Sequence, residues 1–385
     1  MDELIVGTYE GFLLGYSLRS ENEITKLKQT FATHSHTASV RCVSIAGKFL
    51  ASGGTDDKVV VIDLKTRKEH TVLMNHDGTI NSVAFTNNGT HLLTGSDDGS
   101  IIVTRTGNWQ VEKVWKKAHG GQPVTALAVH PSDKLALSLG GDKTLRTWNL
   151  IKGRPAFTIN LSSKGILLPT EIKFSPGGDR FSLISQQTVD IWKISEAGLE
   201  KRITCNSKPT AVQWSSDEQV FVGLENGNII TVSVSETQAQ TYPAHKERVK
   251  CVFFENNMLY TASSSGELKA WSVDNNRLKE ISSINAACRV TCVTLNRQNH
   301  LIKKEDSAEE NTEEPEGHDA ETEAQGSNDE ESDGVEDKSL LKKKIKSFVT
   351  ISYGDDEENK TEDEPPTKKT KKRRRNKKIR NKTTV

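Results

Sequence analysis

The stretch Thr94-Gly95-Ser96-Asp97-Asp98-Gly99-Ser100-Ile101-Ile102-Val103 aligns without gaps on Ser52-Gly53-Gly54-Thr55-Asp56-Asp57-Lys58-Val59-Val60-Val61, and again on residues 138–147, which contain Asp142-Lys143-Thr144-Leu145-Arg146. Each copy reads as a strand, a tight turn and a second strand. An alternating apolar segment stands in front of each: Val40-Arg41-Cys42-Val43-Ser44-Ile45, Ile80-Asn81-Ser82-Val83-Ala84-Phe85 and Val124-Thr125-Ala126-Leu127-Ala128-Val129. Alternation with period two, punctuated by Asp-Gly, Asn-Gly and Gly-Gly, specifies antiparallel hairpins and not helices.

Outward from these copies the unit recurs in weaker form. Thr170-Glu171-Ile172-Lys173-Phe174-Ser175-Pro176 leads to Val189-Asp190-Ile191-Trp192, Thr210-Ala211-Val212-Gln213-Trp214 to Asn226-Gly227-Asn228-Ile229-Ile230, and Val249-Lys250-Cys251-Val252-Phe253-Phe254 to Ser265-Gly266-Glu267-Leu268-Lys269-Ala270-Trp271. The chain ends supply a further unit in two pieces. Val290-Thr291-Cys292-Val293-Thr294-Leu295 is a lone first strand, and Val6-Gly7-Thr8-Tyr9-Glu10-Gly11-Phe12-Leu13-Leu14 is a hairpin lacking one. Histidines at 36, 76, 119 and 245 mark a spacing of about 42 residues, within the roughly 40–45 of a four-stranded propeller blade. The expected fold is all-β: a seven-bladed propeller over residues 1–302, closed by terminal segments that share one blade.

The strand ending Lys143-Thr144-Leu145-Arg146-Thr147-Trp148-Asn149 resembles that of the WD-repeat family, with Asn149 in the Asp place. The resemblance implies that each blade is knitted by a His before the first strand, an Asp in the hairpin turn, a Ser or Thr in the second strand and a Trp in the third. Matched by position, one repeat carries all four as His119, Asp142, Ser138 and Trp148. Another carries His36, Asp56 and Ser52 with Ile62 in the Trp place, and the next carries His76, Asp98 and Thr94 with Thr104 there. The last complete repeat carries His245, Thr261 and Trp271 with Ser265 in the Asp place. A largely buried Asp stays ionised only if it accepts several hydrogen bonds, so the set reads as a staple between turn and loop. A hydrolase triad is the competing reading of His, Asp and Ser, but a catalytic centre does not recur at repeat spacing.

No basic and apolar leader follows Met1, and no apolar run approaches the roughly 18 residues of a membrane span, so a nuclear or cytosolic protein is expected, without membrane contact. The five cysteines form no C-x-x-C pair. Cys42, Cys251 and Cys292 share one repeat position with Ser82, Ala126 and Ala211, which points to a tight site needing a small side chain and not to metal or redox work.

Composition changes abruptly after the propeller. Residues 303–337 form an acidic linker, and from 305 to 337 there is no Lys or Arg and no aromatic residue. Such a segment cannot bury enough surface to fold and is expected to be disordered. Residues 338–354 are an apolar and basic island in which Leu341, Ile345 and Phe348 fall at i, i+4 and i+7, a pattern that orders on a partner. Residues 355–385 are acidic and then basic: Lys368, Lys369, Lys371, Lys372, Arg373, Arg374, Arg375, Lys377, Lys378, Arg380 and Lys382 place eleven cations in fifteen positions. A nuclear import receptor reads such a run, and it contacts RNA phosphates without sequence preference. Ser307, Ser327 and Thr361 each have an acid three residues on, a pattern that acid-directed kinases accept. The formal net charge of zero therefore hides two opposed blocks.

No phosphate loop of the G-x-x-x-x-G-K type, no H-E-x-x-H and no nucleophile elbow is present, so the expectation is a binding scaffold without cofactor, metal or catalytic residues. The half-blade near Met1 and the acidic then basic tail make the chain similar to the p21-activated-kinase-interacting protein group. That resemblance implies a nucleolar assembly factor for the large (60S) ribosomal subunit and rRNA processing, with pre-60S ribosomal proteins and assembly factors as partners and a monomeric propeller. It equally implies a signalling adaptor that binds and restrains p21-activated kinase. A chromatin reader is a third reading, and would require an acidic pocket at the channel mouth. Arg41, Arg248, Lys250 and Arg289, beside first strands, are candidate docking residues.

Overall fold

The computed structural model describes residues 2–21, 24–196, 198–236, 239–274 and 277–297. They form seven four-stranded antiparallel sheets. Blade 1 runs, from the axis outward, Val290–Asn296, Glu3–Thr8, Phe12–Glu21 and Ile24–His34. The first strands of blades 2 to 7 are Val40–Ala46, Ile80–Phe85, Val124–Val129, Glu171–Phe174, Pro209–Ser216 and Val249–Glu255, each followed by three further strands in chain order. All-β architecture, blade number and the blade shared between the two chain ends are as the repeat arithmetic predicts.

Each sheet is apolar on both faces, because each is sandwiched between two others. The buried side chains accordingly group into seven clusters, each spanning two consecutive blades. Close approach near the axis is made possible by glycine. A Cβ on Gly7, Gly53, Gly95 or Gly223 would come within 2.8 Å of Val40, Ile80, Val124 or Val249 on the following blade. Four times over, the first strand of one blade wedges against a glycine in the second strand of the blade before it. This is also the physical reason for the small residues noted in the sequence, since the Cys42 and Cys292 sulfurs lie against the same Gly53 and Gly7 positions.

The ring closes through a register running from Glu3 opposite Asn296 to Thr8 opposite Val290. Leu4, Ile5 and Val6 in this strand are 0–1% exposed, and each contributes roughly 1.5–3 kcal/mol by leaving water. A buried carboxylate reinforces the seam. Glu3, 2% exposed, accepts hydrogen bonds from Arg67 of blade 2 at 2.8 and 2.9 Å, from Thr30 and from Asn296 at 3.3 Å. The Arg67 guanidinium also lies 4.6 Å from the Phe31 ring centroid. One side chain thus joins three strands of blade 1 to its neighbour. Glu3→Ala should lower unfolding stability by about 3 kcal/mol, because Arg67 keeps its desolvation cost and loses its partner. An unchanged urea midpoint would show that the staple adds nothing to closure.

Candidate binding channel and rim

Six of the seven first strands carry a one-residue bulge at the same place. The pairing skips Arg41, Asn81, Thr125, Thr210, Lys250 and Thr291. A bulged residue is released from the ladder and its side chain is re-aimed, and here all six line a central channel of about 1250 Å³ to which every blade contributes. The channel begins with a collar of bulge residues.

Four members of this collar bond internally. Asn81 donates to the carbonyl of Val124 at 3.0 Å and to Asp97 at 2.6 Å, Thr125 to Leu139 at 3.3 Å, Thr210 to Val249 at 2.5 Å and Thr291 to Gly7 at 2.9 Å. Arg41 and Lys250 do not, and neither side chain forms an ion pair among the described residues. They flank blade 1, and both act electrostatically on its Cys292 thiol. Burial nevertheless pushes Cys292 up to about 11 and Cys251 to about 12, and Cys42 upward as well. Thiols held protonated in this way are poor nucleophiles and poor metal ligands.

Blade 5 departs from the pattern. Glu171 pairs opposite Ile184 without a bulge and occupies the position where the other blades have Cys, Ser or Ala. Its carboxylate accepts from the Val212 amide at 3.3 Å and lies 3.3 Å from Lys173, which donates to Gln213 at 3.1 Å. Both charges of this first strand are therefore satisfied within the wall.

The four cations singled out in the sequence fall into two pairs. Arg41 and Lys250 stand in the collar, whereas Arg248 and Arg289 lie one residue before the first strands, outside the channel lining. The Arg289 guanidinium packs 5.0 Å from the Tyr9 ring centroid. Leu341, Ile345, Phe348, the cations of 368–382 and the three candidate phosphorylation positions lie outside the described residues.

The structure brings the repeat-spaced His, Asp and hydroxyl groups together. Nδ1 of His36, His76 and His119 meets Asp56, Asp98 and Asp142 at 2.9, 2.8 and 2.9 Å, and Nε2 meets Ser52, Thr94 and Ser138 at 2.8, 2.8 and 2.7 Å. In blade 4, Trp148 adds a 2.8 Å bond to Ser138. The proton on His119 Nδ1 then goes to Asp142, the Ser138 hydroxyl donates to Nε2, and the Trp148 N–H donates to the same hydroxyl oxygen, so every group is satisfied. Blade 7 holds a member that position matching missed. Glu267, not Ser265, reaches His245 at 2.7 Å, while Thr261 bonds His245 at 2.8 Å and Trp271 at 3.0 Å. Glu267 stands two residues further along, where Ser100 and Thr144 stand in other blades, and its longer side chain spans the gap. Blade 5 diverges again: Leu183 occupies the hydroxyl position, leaving Trp192 Nε1 without a partner, and the indole N–H of Trp214 bonds Ser182 at 3.0 Å.

Burial alone would raise Asp56, Asp98 and Asp142, but hydrogen bonds from His36, Ser100 and Thr144 respectively, joined by the neighbouring imidazoles, outweigh it and hold all three below the usual carboxylate range. Burial lowers His119 and His245 despite their acidic partners, favouring neutral rings.

The family model described as "WD domain, G-beta repeat" matches residues 25–63, 67–104 and 110–149. The "p21-activated protein kinase-interacting protein 1-like" of Xenopus laevis is 34% identical over 304 residues, 76% of this chain and 81% of that protein. The chain belongs to the p21-activated protein kinase-interacting protein family of WD-repeat propellers. Within this family it is also 26% identical over 344 residues to "Protein MAK11" of Saccharomyces cerevisiae, covering 76% of this chain and 82% of that one. The solved "Structure of U3-55K" superposes with a TM-score of 0.59 at 14% identity, covering 67% of this chain and 85% of that chain, and shares the fold. The family's WD repeat explains why the tetrads occur in several copies: they are parts of the scaffold.

His119→Ala should cost roughly 2–4 kcal/mol, since Asp142 and Ser138 lose a buried partner, and thermal unfolding of the purified chain measures it. A variant as stable as the wild type would remove the staple reading.

The acid dependence follows from the directions of these shifts. Carboxylates held below 3.8 and imidazoles held below 6.5 both release protons on folding. Their stabilisation is complete above the unfolded values and drains as pH falls, first from about 6.5 through the histidines and then below about 4 through the aspartates. The melting temperature should therefore decline from pH 7 to pH 5 and again below pH 4, with the first decline shallower in His119→Ala. A melting temperature that rose over the first interval would contradict this assignment.

Proposed function

We propose that the chain is a non-catalytic, protein-binding scaffold of the nucleolus that serves assembly of the large (60S) ribosomal subunit and processing of its rRNA. The observation carrying the scaffold reading is the division of polar groups. The His, Asp and hydroxyl groups that could act chemically are tied to one another at repeat spacing, while Arg41 and Lys250 at the channel collar have no ion-pair partner among the described residues. Loops and collars held on a rigid ring are suited to grasping macromolecules. The match to "Protein MAK11" over most of both chains supports the ribosomal reading, because the family resemblance carries that role. The eleven cations of 368–382 fit nuclear import, nucleolar retention and non-specific RNA contact.

Binding and negative regulation of a p21-activated kinase is a second reading, favoured by the name of the Xenopus laevis relative. The histone-tail reading has no such support, since the collar offers Arg41 and Lys250 where an acidic pocket would be required. Affinity purification of the tagged full-length chain at its natural level distinguishes the two remaining readings. Pre-60S proteins and large-subunit rRNA precursors are expected to co-purify. Recovery of kinase alone would transfer the conclusion to the second reading, and recovery of neither would overturn both.

A further inference from the structure

Among the bulge residues, Arg41 and Lys250 are the two whose side chains the fold leaves unused. Their position is fixed by backbone geometry, because the bulge that releases each is set by the pairing of Val40 with Gly54 and of Val249 with Ser263. The blade between them presents Thr291, whose hydroxyl is committed to the Gly7 carbonyl. The carboxylates of the wall are engaged elsewhere: Glu171 with Val212 and Lys173, and Glu255 with Arg297. Two cations therefore flank one blade at a channel mouth, and among the described residues neither has an ion-pair partner. Arg41 is exposed and Lys250 half-buried, and two like charges at one mouth create a potential that favours an entering anionic group.

We propose that this mouth receives an acidic peptide segment of a partner protein, with a side-chain carboxylate seated between Arg41 and Lys250. The inference rests on the chain being a protein-binding scaffold, not on which particle or kinase it serves. The channel, about 1250 Å³, exceeds the roughly 300–1,000 Å³ of ordinary ligand pockets and admits peptide side chains. A nucleic acid strand fits the surroundings less well. Exposed Glu10, Glu225 and Glu247 lie on the loops outside the collar and interrupt any continuous track for phosphates. Tyr9, the aromatic ring exposed on the same loops, has one face taken by the Arg289 guanidinium. Isolated carboxylates suit two convergent cations, whereas a polyphosphate needs a stripe.

The test uses the full-length chain and a short fluorescein-labelled peptide of alternating Glu and Ser, with a Gln and Ser peptide as neutral control. The substitution pair Arg41→Ala with Lys250→Ala should weaken binding of the acidic peptide about tenfold or more at an unchanged melting temperature. The basic residues of 368–382 are common to both proteins, so the difference reports the collar. Carbodiimide coupling, which joins a carboxylate directly to an amine, should link the peptide to Lys250. Equal affinities for wild type and variant, or cross-links confined to 368–382, would overturn the proposal. So would an oligouridylate that binds through Arg41 and Lys250 while the peptide does not, or a Lys250 cross-link to residues 305–337 of the same chain in place of the peptide.

Discussion

Closure of the ring is the constraint on which the other features depend. Every hydrophobic cluster lies between consecutive blades, so each blade needs a neighbour on both sides, and an open array would expose two apolar sheet faces. Pairing Glu3–Thr8 with Val290–Asn296 supplies the missing neighbour from opposite ends of the propeller. The seam is more than a ladder of backbone bonds. Glu3 draws Arg67 of the next blade onto the same site, converting a junction between chain ends into a contact between blades. The axial geometry follows: once closed, seven first strands face one another with the bulges of six at one level, and a channel with a polar collar results.

The tetrads solve a different problem. A turn rich in Asp and Gly lies against the loop that enters the blade, where backbone and carboxylate would otherwise compete for scarce water. An imidazole resolves this with a nitrogen on each side, Nδ1 hydrogen-bonded to the acid and Nε2 to a hydroxyl. The solution tolerates variation. Blades 2 and 3 dispense with Trp, using Ile62 and Thr104, and blade 7 substitutes a Glu reaching from two residues further along. What is kept is a carboxylate partner for the buried imidazole, not the identity of the residue supplying it. A network redundant across four blades explains how so uneven a set of repeats still builds a regular ring.

The blades were legible in the sequence because a period-two pattern and turn residues are local properties, and the shared blade was legible because two incomplete units add to one. The tetrads were legible wherever position sufficed, as at His119 and Asp142. Glu267 was not, since position matching assumes equal side-chain length and Ser265 occupied the expected column. Glu3 was invisible for a related reason: its partners Thr30, Arg67 and Asn296 are scattered along the chain and meet only on closure. The separation of Arg41 and Lys250 from Arg248 and Arg289 depends on a bulge, a register event between two strands. All four look alike in the sequence, as cations beside an apolar residue.

Blade 5 gives the ring a direction. It lacks the bulge, replaces the small first-strand residue by Glu171, replaces the tetrad hydroxyl by Leu183, and carries instead the buried Asp190 held by Arg202 at 2.7 and 2.9 Å. Its first-strand charges neutralise one another, so the channel is not uniformly cationic: the paired Glu171 and Lys173 stand in one part of the wall, while Arg41 and Lys250, without an ion-pair partner among the described residues, stand three and two blades away. Seven similar sheets arranged symmetrically would bind a partner in any of several rotations. An unpaired cationic arc on one side and a neutralised wall on the other make those rotations unequal in energy, so irregularity in the repeats is the means by which a ring of near-copies can hold a ligand in one orientation.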